Sequence, residues 1–209
     1  MSPRAGRVSA RSATTPANGG NRRSELLGIA AQLFAARGYS QTTVRDIADE
    51  AGILSGSLYH HFDSKEEMLR EILKDFMDDL LAVFVDIAGK EGTARERLDK
   101  LVHSAFATIH ERPHAVALYQ NESAVVGRVT GFDFVEKTSL KIEKLWLGVL
   151  QAGRESGDFR DDLDVSLVYR FIRDTVWSSV RWYNPRGRLR HDVVATQYLT
   201  MLHGGILAG

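Results

Sequence analysis

Cysteine is absent from the 209 residues. That excludes a disulfide framework, a thiolate nucleophile and a cysteine-ligated zinc site. Proline occurs only four times, so long stretches are free to be helical. Long apolar runs are missing as well. The longest is Leu80 to Val85, far short of the roughly 20 residues that span a bilayer. The N-terminus carries arginine but no apolar segment behind it, so it does not read as a secretory signal. The catalytic fingerprints G-x-S-x-G and H-E-x-x-H and the glycine-rich phosphate loops are not found. These absences describe a cytoplasmic, non-membrane chain with no enzyme motif, and no cofactor is expected.

Net charge is lacking too, because 27 basic and 27 acidic residues cancel. Their distribution is uneven. Residues 1–62 hold seven arginines and four acids, a net of +3, and the remainder carries −3. A basic end on an acidic body fits a DNA-binding head on a body with another task.

What is present is helical periodicity. Residues 1–21 are rich in Ser, Gly, Asn and Arg and are expected to be a disordered basic tail. Leu26, Leu27, Ala30, Leu33 and Phe34 form one apolar stripe that Gly38 ends. Thr42 or Thr43 caps the next helix, with Thr43 and Asp46 at capping-box spacing. Val44, Ile47, Ala48 and Ala51 face inward, and Gly52 permits a sharp turn. A third helix is expected from Ser55 to Phe62, and Ser64 to Glu67 reads as a capping box opening a long helix to about Ala88. Thr93 begins another helix. Pro113 begins a short one that runs through Tyr119 to Ser123, and residues 127–131 form a loop. Three more helices follow: Phe132 to Ser156, ended by Gly157, then Leu163 to Tyr183, then Val193 to Leu207. The expected fold is all-α with about nine helices. Residues 22–68 form a three-helix head, and residues 69–209 form a ligand-binding and dimerisation body.

The head carries the sharpest signal. Ala35-Ala36-Arg37-Gly38-Tyr39, Thr42 to Ala48, Ala51-Gly52, Gly56 to Phe62 and Ser64 to Glu67 stand in order within the 48 residues Arg22 to Leu69. This segment resembles the head of TetR-family transcriptional regulators. The resemblance implies a homodimeric repressor that places a recognition helix in the DNA major groove and releases its operator when the body binds a small molecule. On that pattern the DNA-binding residues are Thr42, Thr43, Arg45, Ser55, Gly56, Ser57, Tyr59, His60 and Lys65. Lys65 resembles the family's phosphate-binding lysine. One departure stands out. Leu54 occupies the position where the family usually caps the recognition helix with Ser or Thr, so Ser55 is expected to supply the cap. The recognition helix has no arginine, so base reading falls to hydroxyls, apolar contacts, Arg45 and DNA shape.

Leu163 to Tyr183, together with the head sequence GILSGSLYHHF, resembles the KstR-type repressors of actinobacteria. This implies an acyl-CoA effector from sterol-ring degradation. In the body, Arg173, Trp177 and Arg181 recur at four-residue spacing, with Arg170 beginning a neighbouring row. Guanidiniums flanking an indole suit a ligand with phosphates and a flat ring. Equally, these arginines can be solvated or paired with Asp174, Glu143 or Glu155 while Trp177 packs in the core. Tyr119 and Trp146 complete the candidate effector set. Phe106, Ile109, Leu118, Phe132, Leu145, Val149 and Tyr169 are candidates for an acyl pocket or for ordinary core. The last two helices would form the dimer interface, with Ala195, Gly204 and Gly205 allowing close approach. His103, His110 and His114 lack the register and the carboxylate partner of a metal site. The competing function is an acyl-CoA-handling enzyme, or a TetR-like regulator with another hydrophobic effector.

Overall fold

The computed structural model describes residues 19–121 and 130–207. Residues 1–18 of the tail expected at 1–21, and most of the loop expected at 127–131, lie outside the described residues, while residues 19–21 are helical. Among the described residues there are nine α-helices and no strand; a lone antiparallel bridge joins Phe159 to Leu207.

Local chemistry sets the helix limits. Helix α1 (Gly19–Arg37) begins three residues before the expected head boundary. Helix α2 (Val44–Glu50) opens with a complete capping box, in which the Thr43 hydroxyl and the Asp46 carboxylate each accept from the other's backbone N–H. It closes in a Schellman motif. The Ile53 N–H reaches the Ala48 carbonyl at 3.0 Å, the Gly52 N–H reaches the Asp49 carbonyl at 3.2 Å, and Gly52 takes φ +65°. This is the turn of the helix-turn-helix, and its left-handed residue favours glycine.

Helix α3 is shorter than expected. Regular helix spans Ser55–Leu58 and gives way to tight turns through His61, where the His60 and His61 amides bond to Ser57 and Leu58 carbonyls. Its N-cap is Leu54, which makes no side-chain cap bond, so Ser55 does not cap it. Ser55 falls one residue inside the helix, past the extended position from which a hydroxyl can reach back to the free amides.

Helix α4 (Lys65–Gly89) is capped by Ser64, whose hydroxyl accepts from the Glu67 N–H. Only half of the expected box forms, because Glu67 turns its carboxylate to the Asp63 N–H and to Arg23. At 1.5 Å per residue α4 is roughly 37 Å long. Met68 and Leu69 are buried in the head, and Phe76, Leu80 and Phe84 lie deeper in the body. Head and body therefore share one rod.

The body packs α5 (Ala94–Glu111), α6 (Pro113–Asn121), α7 (Asp133–Ser156), α8 (Val165–Ser178) and α9 (His191–Ile206) around it. Helices α4 and α7 lie side by side, as do α5 and α9, while α6 rests on α1 of the head. Thr93 and Glu96 form a second complete capping box at α5, and the Asp164 carboxylate caps α8 by accepting from Ser166 and Leu167. Helix α8 stops five residues short of its expected end at Tyr183. The Ser178 and Ser179 hydroxyls donate back to the Thr175 and Val176 carbonyls, and the chain tightens into a 3-10 turn at Ser179–Arg181. No described helix is long and apolar enough to cross a membrane.

The chain after α7 doubles back so that the Phe159 ring lies on Gly153. A Cβ built on Gly153 would sit 2.2 Å from two carbons of that ring. Gly153→Ala should therefore cost about 1–3 kcal/mol through overpacking. A lowered thermal midpoint, recovered when Phe159→Leu is added, is the expected outcome; an unchanged midpoint would mean that the loop yields freely.

Candidate nucleic-acid interface and effector body

The head is tied together by cations that donate into backbone carbonyls left open by its turns. Arg22 spans from α1 to the Ala51 carbonyl at 3.1 Å, at the C-terminus of α2. Arg23 donates to the His61 carbonyl just beyond α3, pairs with Glu67 and Glu71 of α4, and lies 4.1 Å over the Phe62 ring. Its hydrogen bond to Glu71 raises its pKa further, keeping the guanidinium charged. Lys65 donates to the Tyr39 and Thr42 carbonyls, both at 2.8 Å, and sits 4.2 Å from the Tyr39 ring centre.

These contacts give two of the expected DNA-binding residues a structural role. Thr42 is buried, and its hydroxyl donates inward to the Gly38 carbonyl at 2.9 Å. It is a structural peg of the α1–α2 connection and offers no hydroxyl to phosphate. Lys65 spends two of its three ammonium protons on the same connection, leaving at most one for a phosphate. Its first task is positioning.

The remaining expected residues are exposed or half-buried. Thr43 is exposed at the α2 N-terminus, and its hydroxyl is held by Asp46. The Thr43 hydrogen bonds keep the Asp46 carboxyl below the usual carboxylate range. The sign follows: the cap is present above the ordinary carboxylate pKa and is lost only as pH falls through the lowered one. Arg45 is free to reach outward, with 83% of its side chain exposed and a loose 3.7 Å pairing to Asp49. Ser55 and Ser57 are half-buried, Gly56 and His60 are exposed, and Tyr59 is 55% exposed. Leu54 was not among the expected residues. It is 80% exposed at the mouth of the turn, where an apolar side chain suits a thymine methyl. Its position in place of the usual cap was the available signal.

In the body the six expected effector residues divide. The Tyr119 hydroxyl bonds to Ser139 at 3.0 Å. Trp146 is buried between Phe84, edge-on at 5.5 Å, and Tyr169 at 6.4 Å. Arg173 lies 5.7 Å over Tyr169 and pairs with Asp174 at 2.8 Å. Burial, then the nearby Glu143 charge, pushes the Tyr169 hydroxyl up to about 12, so it stays a neutral donor. Tyr119, Trp146, Tyr169 and Arg173 thus form one polar-edged aromatic group. Trp177 is core, 8% exposed, and Arg170 and Arg181 point to solvent. Arg181 leaves the expected stripe because the 3-10 turn breaks the register. Phe106, Ile109, Leu118 and Phe132 are fully buried. Ala195 is also buried within the chain, so it is not available to an interface, whereas Gly204 and Gly205 are exposed.

An apolar groove of about 390 Å³ runs along the other face of α8 and α9, lined by Trp182, Leu189, Val193 and Met201 among others. These four side chains are all large, apolar and exposed, as is Phe171 on α8. A patch of this kind on one face marks an interaction surface.

Residues 26–72 match the family described as bacterial regulatory proteins, tetR family, and residues 91–206 match the tetracyclin repressor-like C-terminal domain. The HTH-type transcriptional repressor KstR2 of Mycolicibacterium smegmatis is 50% identical over 92% of this chain and 94% of its own length. The structure of the ketosteroid transcriptional regulator KstR2 of Mycobacterium tuberculosis superposes with a TM-score of 0.88 at 50% identity, covering 90% of this chain and 96% of that one. AibR in complex with isovaleryl coenzyme A and operator DNA shares the fold at 23% identity, with a TM-score of 0.75 over 86% of this chain and 97% of its own.

Two substitutions separate reading from support. Tyr59→Ala should weaken binding to the chain's own upstream DNA about tenfold, the worth of one lost contact, with an unchanged thermal midpoint. Arg23→Ala should lower operator affinity and thermal midpoint together. A gel shift beside a melting curve checks both. Normal DNA affinity in Tyr59→Ala would remove that residue from the interface, and an unaltered melt in Arg23→Ala would deny its clamping role.

Proposed function

The chain belongs to the tetR family of bacterial regulatory proteins, and from that premise we propose a homodimeric transcriptional repressor released from its operator by an acyl-CoA thioester derived from sterol-ring breakdown. The observation that carries this reading is the half-identity to KstR2 repressors over nearly the whole chain, body as well as head. The relative from Mycobacterium tuberculosis is a ketosteroid regulator, which supports the sterol class. AibR supports the fold's capacity to hold a coenzyme A thioester.

The face built from Thr43, Arg45, Leu54, Ser55, Gly56, Ser57, Tyr59 and His60 would meet the major groove. With no arginine on α3, phosphate contacts and DNA shape would supply most of the affinity. Two copies joined through the exposed apolar face of α8 and α9 would present two such surfaces to the two half-sites of one operator. In the body, Arg173 at the edge of the Tyr119–Trp146–Tyr169 group supplies a cation beside flat rings, the chemistry that a thioester with phosphates and a ring-derived acyl group requires. An effector that binds one body conformation better than the other shifts the population away from the operator-binding spacing.

The route from body to head is short. Helix α6 lies on α1. Arg112, at the α5–α6 corner, bonds to Asp79 at 2.7 Å and also to Asp75 of α4. Any shift of this corner is passed to the rod that the head shares.

Titration of a CoA thioester of a sterol-ring fragment into a gel shift should abolish the protein–operator complex, and Arg173→Ala should raise the thioester concentration needed by about tenfold or more. Release that ignores every such thioester would sink the effector assignment while leaving the regulator. Failure to bind the operator at low salt would sink the repressor reading itself.

A further inference from the structure

A second cleft lies in the body, lined by none of the residues of the apolar face or the aromatic group. It has a volume of about 440 Å³ and runs between the C-terminal part of α4, the start of α5 and the middle of α7. Its rim is cationic: Arg97 of α5 faces Lys141 and Lys144 of α7 across it, and no carboxylate lines it. Its floor is apolar, made by Leu145 and Val149 with Ala88, Gly148 and Ala152.

Three features set it apart from a solvated charged surface. First, the three cations form no ion pair or hydrogen bond among the described residues, whereas Lys74, Lys90, Arg112, Arg160 and Arg190 all pair with acids. Like charges gathered without counter-charges repel one another, so the cluster costs stability unless an anion joins it. Second, the Arg97 Nε is buried and has no hydrogen-bond partner. A buried donor without an acceptor carries a desolvation penalty, and cationic groups carry more of it than neutral ones. Third, Gly148 stands in mid-helix, where glycine is disfavoured relative to alanine. A Cβ built there meets nothing within 4 Å, so neighbouring atoms do not demand glycine. Its effect is to keep the cleft floor open.

We propose that this cleft is a binding site for a small amphipathic anion, a phosphate or carboxylate carried on a short apolar body. The anionic head would accept from Arg97 and from the Lys141 and Lys144 ammoniums, and the body would lie on Leu145 and Val149 over Gly148. A guanidinium and two ammoniums complement a phosphate by charge, and the Arg97 fork suits either anion bidentately. The cleft shares Leu145 and Val149 with the acyl-pocket candidates of the sequence but none of the residues of the aromatic group, so Arg97→Gln tests it separately from Arg173→Ala.

The test is isothermal titration calorimetry on the full chain with hexyl phosphate and with hexanoate, which carry the same apolar body under different anions. Saturable binding of at least one is expected, and the tighter of the two identifies the head group. Arg97→Gln should weaken it about tenfold, the worth of one charge-assisted hydrogen bond. Gly148→Leu keeps every charge but fills the floor, and it should abolish binding while the protein still melts cooperatively. Lys74→Gln, an exposed residue paired with Asp78 on α4, should bind like the unsubstituted chain. Absence of saturable binding by both anions overturns the proposal. So does binding that survives both Arg97→Gln and Gly148→Leu unchanged. Were Arg97→Gln to lose its cooperative melt, Gly148→Leu alone would decide, since Gly148 is exposed and the first carbon added there enters open space.

Discussion

The head of this protein depends on cations that close its carbonyls. A helix-turn-helix is mostly ends and turns, and each end leaves backbone groups that the helices themselves cannot satisfy. Here Arg22 takes the Ala51 carbonyl, Arg23 takes that of His61, and Lys65 takes those of Tyr39 and Thr42. The donors come from the two long helices α1 and α4, and the acceptors come from the short elements between them. Aromatic rings lie beneath two of the three cations, Phe62 under Arg23 and Tyr39 beside Lys65. A bond from a charged donor is worth more than a neutral one, and a ring beneath the cation adds attraction. A four-residue recognition helix could not hold its own orientation; it is held by its frame.

That frame changes the meaning of the head's positive charge. A net of +3 over residues 1–62 reads naturally as attraction for DNA. Arg22 and Arg23 of that count, and Lys65 just beyond it, are instead turned inward on carbonyls and carboxylates. Arg45 remains the cation of α2 that reaches fully outward. The proposed reading face is therefore chiefly hydroxyl, imidazole, phenol and the Leu54 side chain. Such a face positions on phosphates and reads shape and methyl groups more than guanine edges.

How much of this was legible in the sequence follows from how local each cause is. The capping box at Thr43, the glycine turn at Gly52, the left-handed stop at Gly157 and the order of the helices were all readable, because each depends on a few adjacent residues. The tetR resemblance rested on the same local motif. What escaped depends on contacts distant in sequence. Thr42 and Thr43 look equivalent as a pair of hydroxyls, yet the chain path buries one and exposes the other. Lys65 looks like a free cation in the sequence, yet Tyr39 and Thr42 are brought back to it from 26 and 23 residues away. Arg173, Trp177 and Arg181 fit one helical stripe only while the helix lasts, and two serine hydroxyls end it between the second residue and the third. The cationic cleft was invisible for the same reason, since Arg97 lies more than forty residues from Lys141.

The same distribution of contacts constrains how a body ligand can act on DNA. A head tied at four carbonyls and built on a buried core of Leu26, Phe34, Ile47 and Leu58 is costly to melt, so release by local unfolding is disfavoured. The seam between head and body is different. A cleft of about 610 Å³ separates Leu27, Gly28 and Ala31 of α1 from Arg112, Pro113 and His114 at the α5–α6 corner, with Glu71, Asp75 and Asp78 of α4 along it. It is open and carries charged side chains from both walls, and such a junction slides at less cost than a close-packed core. Burial holds His114 at the cleft below the usual histidine pKa, and the charge of Arg186 adds to the effect, so the corner brings a neutral ring to the carboxylates of α4. Two aspartates of α4 hold the corner through one arginine. The corner against the rod is therefore the less tightly packed junction, beside a head that its carbonyl ties hold as one unit.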